Sequence, residues 1–166
     1  HALTLMPNHL HLLLTTPNED LGVVMEQMMR STTKTLNRIS GRSGRVFGGP
    51  YDNSLVDSPI YFSHALKYVY RNPVKAKICE KPEDYAFSTL PGLLGEAKLL
   101  FPIHFPFGRD HFIRVPSETE AFLSWLNRPF KKEHDEAIQQ GLKRSRFSPP
   151  KQGWKRTLQD LQADLL

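Results

Sequence analysis

A chain of 166 residues can fold as one domain, or as one domain with an appendage, around a real core; its 39% hydrophobic content and mean hydropathy of -0.43 point to a compact part plus polar segments. No run approaches the roughly 20 apolar residues of a membrane helix, nothing reads as a secretion signal, and a single cysteine, Cys79, excludes an internal disulfide and any cysteine-based zinc finger while suiting a reducing cytosol. Lys and Arg number 22 against 17 acids, with a pI near 9.4, and such a balance attracts polyanions, nucleic acid first.

The chain opens on a histidine with apolar alternation already under way, as a piece of a longer product would. From Ala2 to Thr15 the spacing predicts a strand, with Leu3, Leu5, Leu10, Leu12 and Leu14 set against Thr4, His9, His11 and Leu13. "TTPNED" then turns, and a helix is expected from near Asp20. Its apolar stripe is Leu21, Val24, Met25, Met28, Thr32 and Leu36, and its methionines are expected to fill core. Gln27, Arg30, Lys34 and Arg38 lie away from that stripe, as a solvated face or a phosphate contact. "SGRSGRVFGGPYDNS" reads as a loop leading into a short strand at 51–56. Ser58 can cap a second helix and Pro59 suits its first position, where the missing N–H would be unpaired anyway. That helix runs through "IYFSHALKYVYR" and is expected to end near Asn72, because the residue before a proline disfavours the α conformation.

Beyond Tyr85 the pattern changes. "LLFPIHFPFGRDHFIRVP" mixes prolines, aromatics and cations without a period. Ser117 and Glu120 form a capping-box signature before "AFLSWLN", and a further short helix is expected over "KKEHDEAIQQGL". From Arg128 to Arg156 nine cations face three acids, which reads as a basic, partly disordered appendage outside the core. The expected division is 1–95 and 96–166.

The chemistry is concentrated in two places. In "MPNHLHLLL" strand alternation turns His9 and His11 to one face and Leu10 and Leu12 to the other, and imidazoles so placed can converge on one metal ion. The same short motif also suits two surface histidines on the open face of a half-buried sheet. On the second helix, Tyr61, His64, Tyr68 and Asn72 fall at about 0°, 300°, 340° and 20°, one narrow stripe, beside an arc of Phe62, Ala65, Leu66 and Val69 that can pack on the sheet. An Asn oxygen can complete a hard-cation site, and a tyrosine oxygen can attack what the ion polarises. Two packing aromatics and an asparagine stop signal would leave the same pattern.

"MPNHLHLLL", followed some sixty residues later by "YVYRNPVKAKI" and "PEDYAFSTL", resembles the tyrosine transposases of the insertion-sequence type. It is most similar to the REP-associated tyrosine transposases of the HUH single-strand nuclease superfamily, over about residues 2–92. The resemblance implies an α+β fold: an antiparallel sheet with helices on one face, the ferredoxin-like or RRM-like HUH palm. The family's first strand–helix–strand has no counterpart in this chain, and a basic helical C-terminal appendage is added. It implies His9 and His11 as ligands of Mg²⁺ or Mn²⁺, Asn72 as the third ligand and Tyr68 as the nucleophile. Tyr70 falls on the opposite side of the helix, in agreement with that choice. The expected activity is cleavage and rejoining of single-stranded DNA beside hairpins, such as a repetitive extragenic palindrome, through a 5′-phosphotyrosine. Arg30, Lys34, Arg42, Arg45 and Lys75 are candidates for backbone contacts. The implied setting is a bacterial cytoplasm at the nucleoid, with no membrane partner and room for a homodimer through an exposed sheet edge. Two other readings share the residues: a truncated or domesticated relative that binds nucleic acid without turnover, and an unrelated sheet domain that binds RNA by aromatic stacking.

Overall fold

The structure is a computed structural model that describes residues 1–16, 18, 20–99, 101–103, 115, 116 and 118–147. The chain is α+β. Strands β1 (Ala2–Leu5) and β2 (Leu10–Leu13) pair antiparallel, with Ala2 opposite Leu13, Leu3 opposite Leu12, Thr4 opposite His11 and Leu5 opposite Leu10. Helices α1 (Leu21–Ser40) and α2 (Pro59–Lys75), a 3-10 turn at Pro82–Asp84, and helices α3 (Leu90–Leu93), α4 (Thr119–Asn127) and α5 (Lys132–Leu142) follow. They fall into two compact units, one made of 1–14 with 53–166 and the other of Thr15–Asp52.

The expected single strand from Ala2 to Thr15 is instead a hairpin. Met6 N–H donates to the His9 carbonyl at 2.8 Å and closes the turn across Pro7 and Asn8. Proline presets φ and asparagine tolerates turn geometry, so this dipeptide breaks an alternation that otherwise runs on. The free edge of β1 is taken by the segment after the 3-10 turn. Leu5 N–H donates to Phe87 O at 2.8 Å, Thr89 N–H to Leu3 O at 3.0 Å, and Tyr85 Oη to Leu5 O at 2.6 Å. β1 is thus flanked on both sides. The strand expected at 51–56 is reduced to one bridge, between Leu55 and Arg146.

Helix α2 begins where its signals put it, with Ser58 at the N-cap and Pro59 at its first position. It does not stop at Asn72. It continues through Pro73 to Lys75, and Ala76 N–H still reaches Asn72 O at 2.9 Å. Pro73 has no N–H for an i→i−4 bond, a cost that the packing of the residues before it outweighs. Phe62, Ala65, Leu66 and Val69 form the core with Ala2 and Leu13 of the hairpin, as the helical arc predicts.

The same core contains Phe122, Trp125 and Leu126 of α4. This helix carries three large apolar residues on one face and buries them; within 128–156, the stretch expected outside the core, Ile138 and Phe147 are also buried. Ser117 of the expected capping box lies outside the described residues, and α4 begins behind Glu118 with no side-chain cap bond. Helix α5 matches its expected segment. The part of the expected basic appendage from 148 onward also lies outside the described residues.

In the Thr15–Asp52 unit, α1 ends on Gly41 in the left-handed conformation (φ 64°), whose N–H reaches Asn37 O. Of the expected apolar stripe, Met25 is buried, while Val24 and Leu36 are exposed at 38% and 45%. One helix and one loop have too little surface of their own to bury the whole stripe.

Deleting buried side-chain volume from α2 should cost far more than trimming α1. Leu66 is wholly buried and Ile39 is 74% exposed. Leu66→Ala is expected to destabilise by about 2–5 kcal/mol and Ile39→Ala by under about 0.5 kcal/mol in urea titrations.

Candidate active site on the hairpin and helix α2

The hairpin turn sets the first half of the site. His9 stands at the foot of the turn, one residue ahead of β2, and His11 stands within β2 opposite Thr4. The histidine pair is therefore not held by strand alternation alone, as expected from spacing; the turn delivers His9 to its partner. The two Nε2 atoms lie 2.9 Å apart, with rings close to perpendicular at 86°. His9 Nδ1 lies 2.6 Å from Asn8 Oδ1. An Nδ1–H donated to that oxygen leaves the Nε2 lone pair turned toward His11.

The sheet face that carries His11 also carries the buried Ala2, Thr4 and Leu13, and α2 packs on it. Leu10 and Leu12 on the other face are half-buried. The imidazoles thus stand at the rim of the packed face, which explains why β2 can bring a histidine to a helix.

Helix α2 provides the second half. The Tyr68 ring meets the His11 ring edge-on, with centroids 5.6 Å apart and planes at 84°. Asn72, one turn later, donates Nδ2–H to the Tyr68 carbonyl at 2.7 Å, and its carboxamide acts on the ionisation of both His11 and Tyr68. Holding the amide nitrogen on the helix backbone leaves the carboxamide oxygen as an acceptor at the site. The other members of the expected stripe go elsewhere: Tyr61 packs against Phe147 and the buried His64 against Phe130. Tyr70 is buried on the far side, hydrogen-bonded to Thr89 Oγ1 at 3.1 Å, and burial pushes its phenol up to about 12.

The donor set fits a divalent ion. Two nitrogens each about 2.1 Å from one ion and at right angles would be about 3.0 Å apart, close to the 2.9 Å here, and the Asn72 oxygen adds a hard third donor. His11 is brought down to about 4, by burial first and then by the charge of His9, against a raising hydrogen bond from Asn72. It is neutral at physiological pH and keeps a lone pair for a metal. Among the described residues no group of three His, Cys, Asp or Glu side chains that could hold a metal ion is found.

Tyr68 is held above its ordinary range by burial and then by the Asp135 carboxylate, with Asn72 pulling the other way. Asp135 arrives from α5 and takes the Lys75 ammonium at 2.5 Å and Gln139 Nε2–H at 3.1 Å. Lys75 Nζ also lies 5.7 Å from the centre of the Tyr68 ring. Lys75 was expected to contact DNA; here it is engaged by a carboxylate beside the candidate nucleophile. No local signal marks Asp135, because its relation to Tyr68 exists only once α5 has packed. Arg30, Lys34, Arg42 and Arg45 all belong to the Thr15–Asp52 unit, and Arg30 and Arg45 line one cavity there.

No protein-family model, curated protein or solved structure matches this chain. No helix among the described residues is long and apolar enough to cross a membrane.

The His11 shift carries a pH dependence. Its folded value lies below the ordinary 6.5, so in metal-free protein the unfolded chain takes up the proton first. Stability is expected to be full above about pH 6.5, to fall as the pH drops toward about 4, and to level off below. In denaturant titrations with chelator present, His11→Gln should lose this slope; an unchanged slope would reject the assignment.

Proposed function

We propose that this chain is a tyrosine transposase or nuclease of the HUH type that cleaves and rejoins single-stranded DNA near hairpins. The observation that carries the reading is the meeting of His9, His11, Tyr68 and Asn72, four residues from two segments some sixty positions apart, at one rim of the α2–hairpin core. The ferredoxin-like palm is part of the proposal; the β-hairpin with the Leu3–Thr89 pairing beside β1 is compatible with it.

His9, His11 and Asn72 would hold Mg²⁺ or Mn²⁺, which when bound neutralises charge developing on the scissile phosphate. Tyr68 Oη forms a bond to phosphorus while the bond from phosphorus to the 3′ oxygen breaks. The phenolic proton is lost, the 3′ oxygen gains one, and the DNA is left as a 5′-phosphotyrosyl end and a free 3′-hydroxyl. The phosphodiester-level energy is retained, so a second 3′-hydroxyl can reverse the step without ATP. Asn72 steadies Tyr68 through its own backbone bond, and the ring contact with His11 fixes the phenol against the ligand pair.

The raised pKa of Tyr68 favours a second reading, a relative that binds hairpin DNA on its basic surface without turnover. Incubation with a hairpin-bearing single-stranded oligonucleotide and Mn²⁺ separates the two. A covalent adduct on a denaturing gel is expected, absent with chelator and absent in Tyr68→Phe. An adduct that survives Tyr68→Phe would remove Tyr68 from the role, and tight binding with no adduct would favour the second reading.

The metal half has its own test. Calorimetric titration of Mn²⁺ should show one tight site in the wild type and none in the double variant His9→Ala, His11→Ala. Equal uptake by both would reject the site.

A further inference from the structure

The Thr15–Asp52 unit holds a feature that the proposed cleavage does not use. An open cavity of about 510 Å³ lies between α1 and the loop that returns along it. It is within the size range of small-molecule sites, roughly 300–1,000 Å³, and large for one nucleobase. Glu26, Met29 and Arg30 line it from the helix, and Arg45, Phe47 and Tyr51 from the loop.

The loop is fastened to the helix, so the cavity is built by local rules. Arg42 N–H reaches Asn37 O at 3.1 Å, and Asn37 Nδ2 donates to Gly44 O at 2.9 Å. Gly44 sits at φ 104°, a conformation strained for any side chain, and this bends the chain so that Arg45 to Tyr51 faces the helix. Tyr51 is 37% exposed and Phe47 is half-buried, which leaves aromatic surface open to a ligand.

The charge around it is mainly positive, with Glu26 the one acid in its lining beside Arg30 and Arg45. Between Gln27 and Tyr51 the sequence has five cations, Arg30, Lys34, Arg38, Arg42 and Arg45, and no acid. Arg30, Lys34 and Arg38 recur every four residues, a single ridge along α1. Neither Arg30 nor Arg45 has a carboxylate partner among the described residues. Aromatic faces interleaved with unpaired arginines are the recognition chemistry of single-stranded nucleic acid: rings stack bases, guanidinium groups hold phosphates. A cationic surface with two accessible aromatic side chains in one cavity fits an unstacked nucleotide better than a duplex, whose bases present no free face.

We propose that this cavity is a second nucleotide site, which takes one unstacked base of single-stranded DNA against Phe47 and Tyr51 and holds flanking phosphates on Arg30 and Arg45. The inference rests on single-stranded DNA being the substrate. The site shares no residue with the proposed cleavage site, and its work is to fix which nucleotide of the strand is gripped.

The test is an abasic walk with the full chain, in which oligonucleotides each lacking one base are compared with the intact strand by fluorescence anisotropy. The wild type should lose roughly 5- to 150-fold in affinity at one position, the span expected for one stacked base. In Tyr51→Ala and Phe47→Ala that position should become insensitive, whereas Tyr51→Phe should keep the wild-type profile. The conservative variant distinguishes lost stacking from lost folding. Arg30→Gln with Arg45→Gln should lower the slope of log affinity against log salt by about 1.4, two phosphates' worth. A wild-type profile with no sensitive position, or one unchanged in Tyr51→Ala and Phe47→Ala, would overturn the proposal. The adduct assay tells the two failures apart. If Tyr68 still forms its adduct while the walk is flat, the second site falls and the cleavage reading stands; if the wild type neither binds the strand nor forms an adduct, both fall.

Discussion

Helix α2 is buried along most of its circumference, and the rest of its compact unit is arranged to meet its different faces. One arc, Phe62, Ala65, Leu66 and Val69, packs on the hairpin; Tyr70 turns to Thr89 and the segment pairing with β1; His64 and Lys67 turn to the C-terminal helices. The stripe with Tyr68 and Asn72 is left at the boundary between packed sheet and open surface. A helix so enclosed has little freedom to rotate or slide, because any shift opens voids on several sides. Rigidity of this kind suits the proposed role of Tyr68, which would have to be held in register with histidines on a separate strand.

Lys67 shows the strength of that enclosure. Its side chain is 3% exposed, and an ammonium removed from water is costly unless its hydrogens are satisfied. Nζ donates to the Trp125 carbonyl at 2.6 Å and lies 5.1 and 5.0 Å from the centres of the Trp125 and Phe130 rings. On the next turn Arg71 donates to Leu126 O at 2.9 Å and Asn127 O at 2.6 Å. These carbonyls belong to the last turn of α4, which has no intrahelical donors for them and whose dipole favours a cation. Two basic residues on α2 therefore act as the C-cap of α4. This joint fastens the end of α4 to α2.

The sequence was most legible where chemistry depends on periodicity. The α2 packing arc could be read from angles alone and packs as its angles require, whereas of the predicted stripe only Tyr68 and Asn72 stand together beside His11. The histidine pair was legible as a pair but not as a geometry, because the alternation of leucines ran unbroken across Pro7 and Asn8, and the turn there outweighs it. The helix end was misplaced for a related reason: a pre-proline residue is a bias, and the packing of α2 overrides it through Lys75. What could not be read was anything that depends on distant segments meeting. Leu55 with Arg146, Thr4 with Ser88 and Asp135 with Tyr68 are separated by most of a domain in sequence, and no local pattern announces them.

That last meeting bears on how the site could work. An ordinary phenol is ionised to about one part in a thousand at pH 7, and Tyr68 is held above the ordinary value by burial and by Asp135. Burial and the carboxylate both act against the phenolate, while Asn72 favours it, and the Lys75 ammonium lies over the Tyr68 ring. Lys75 is divided, since its ammonium sits on Asp135 at 2.5 Å. Under the proposed reading the balance must shift when the ion and the strand are seated together, because a phosphate alone adds negative charge and disfavours the phenolate further. Added positive charge at the ligand set would oppose the effects of burial and Asp135 on Tyr68. A tyrosine left fully acidic would gain little, because a stable phenolate is also a weaker nucleophile. Keeping it protonated until the strand is seated places the activation with the substrate, which is where selectivity for single-stranded DNA can be expressed.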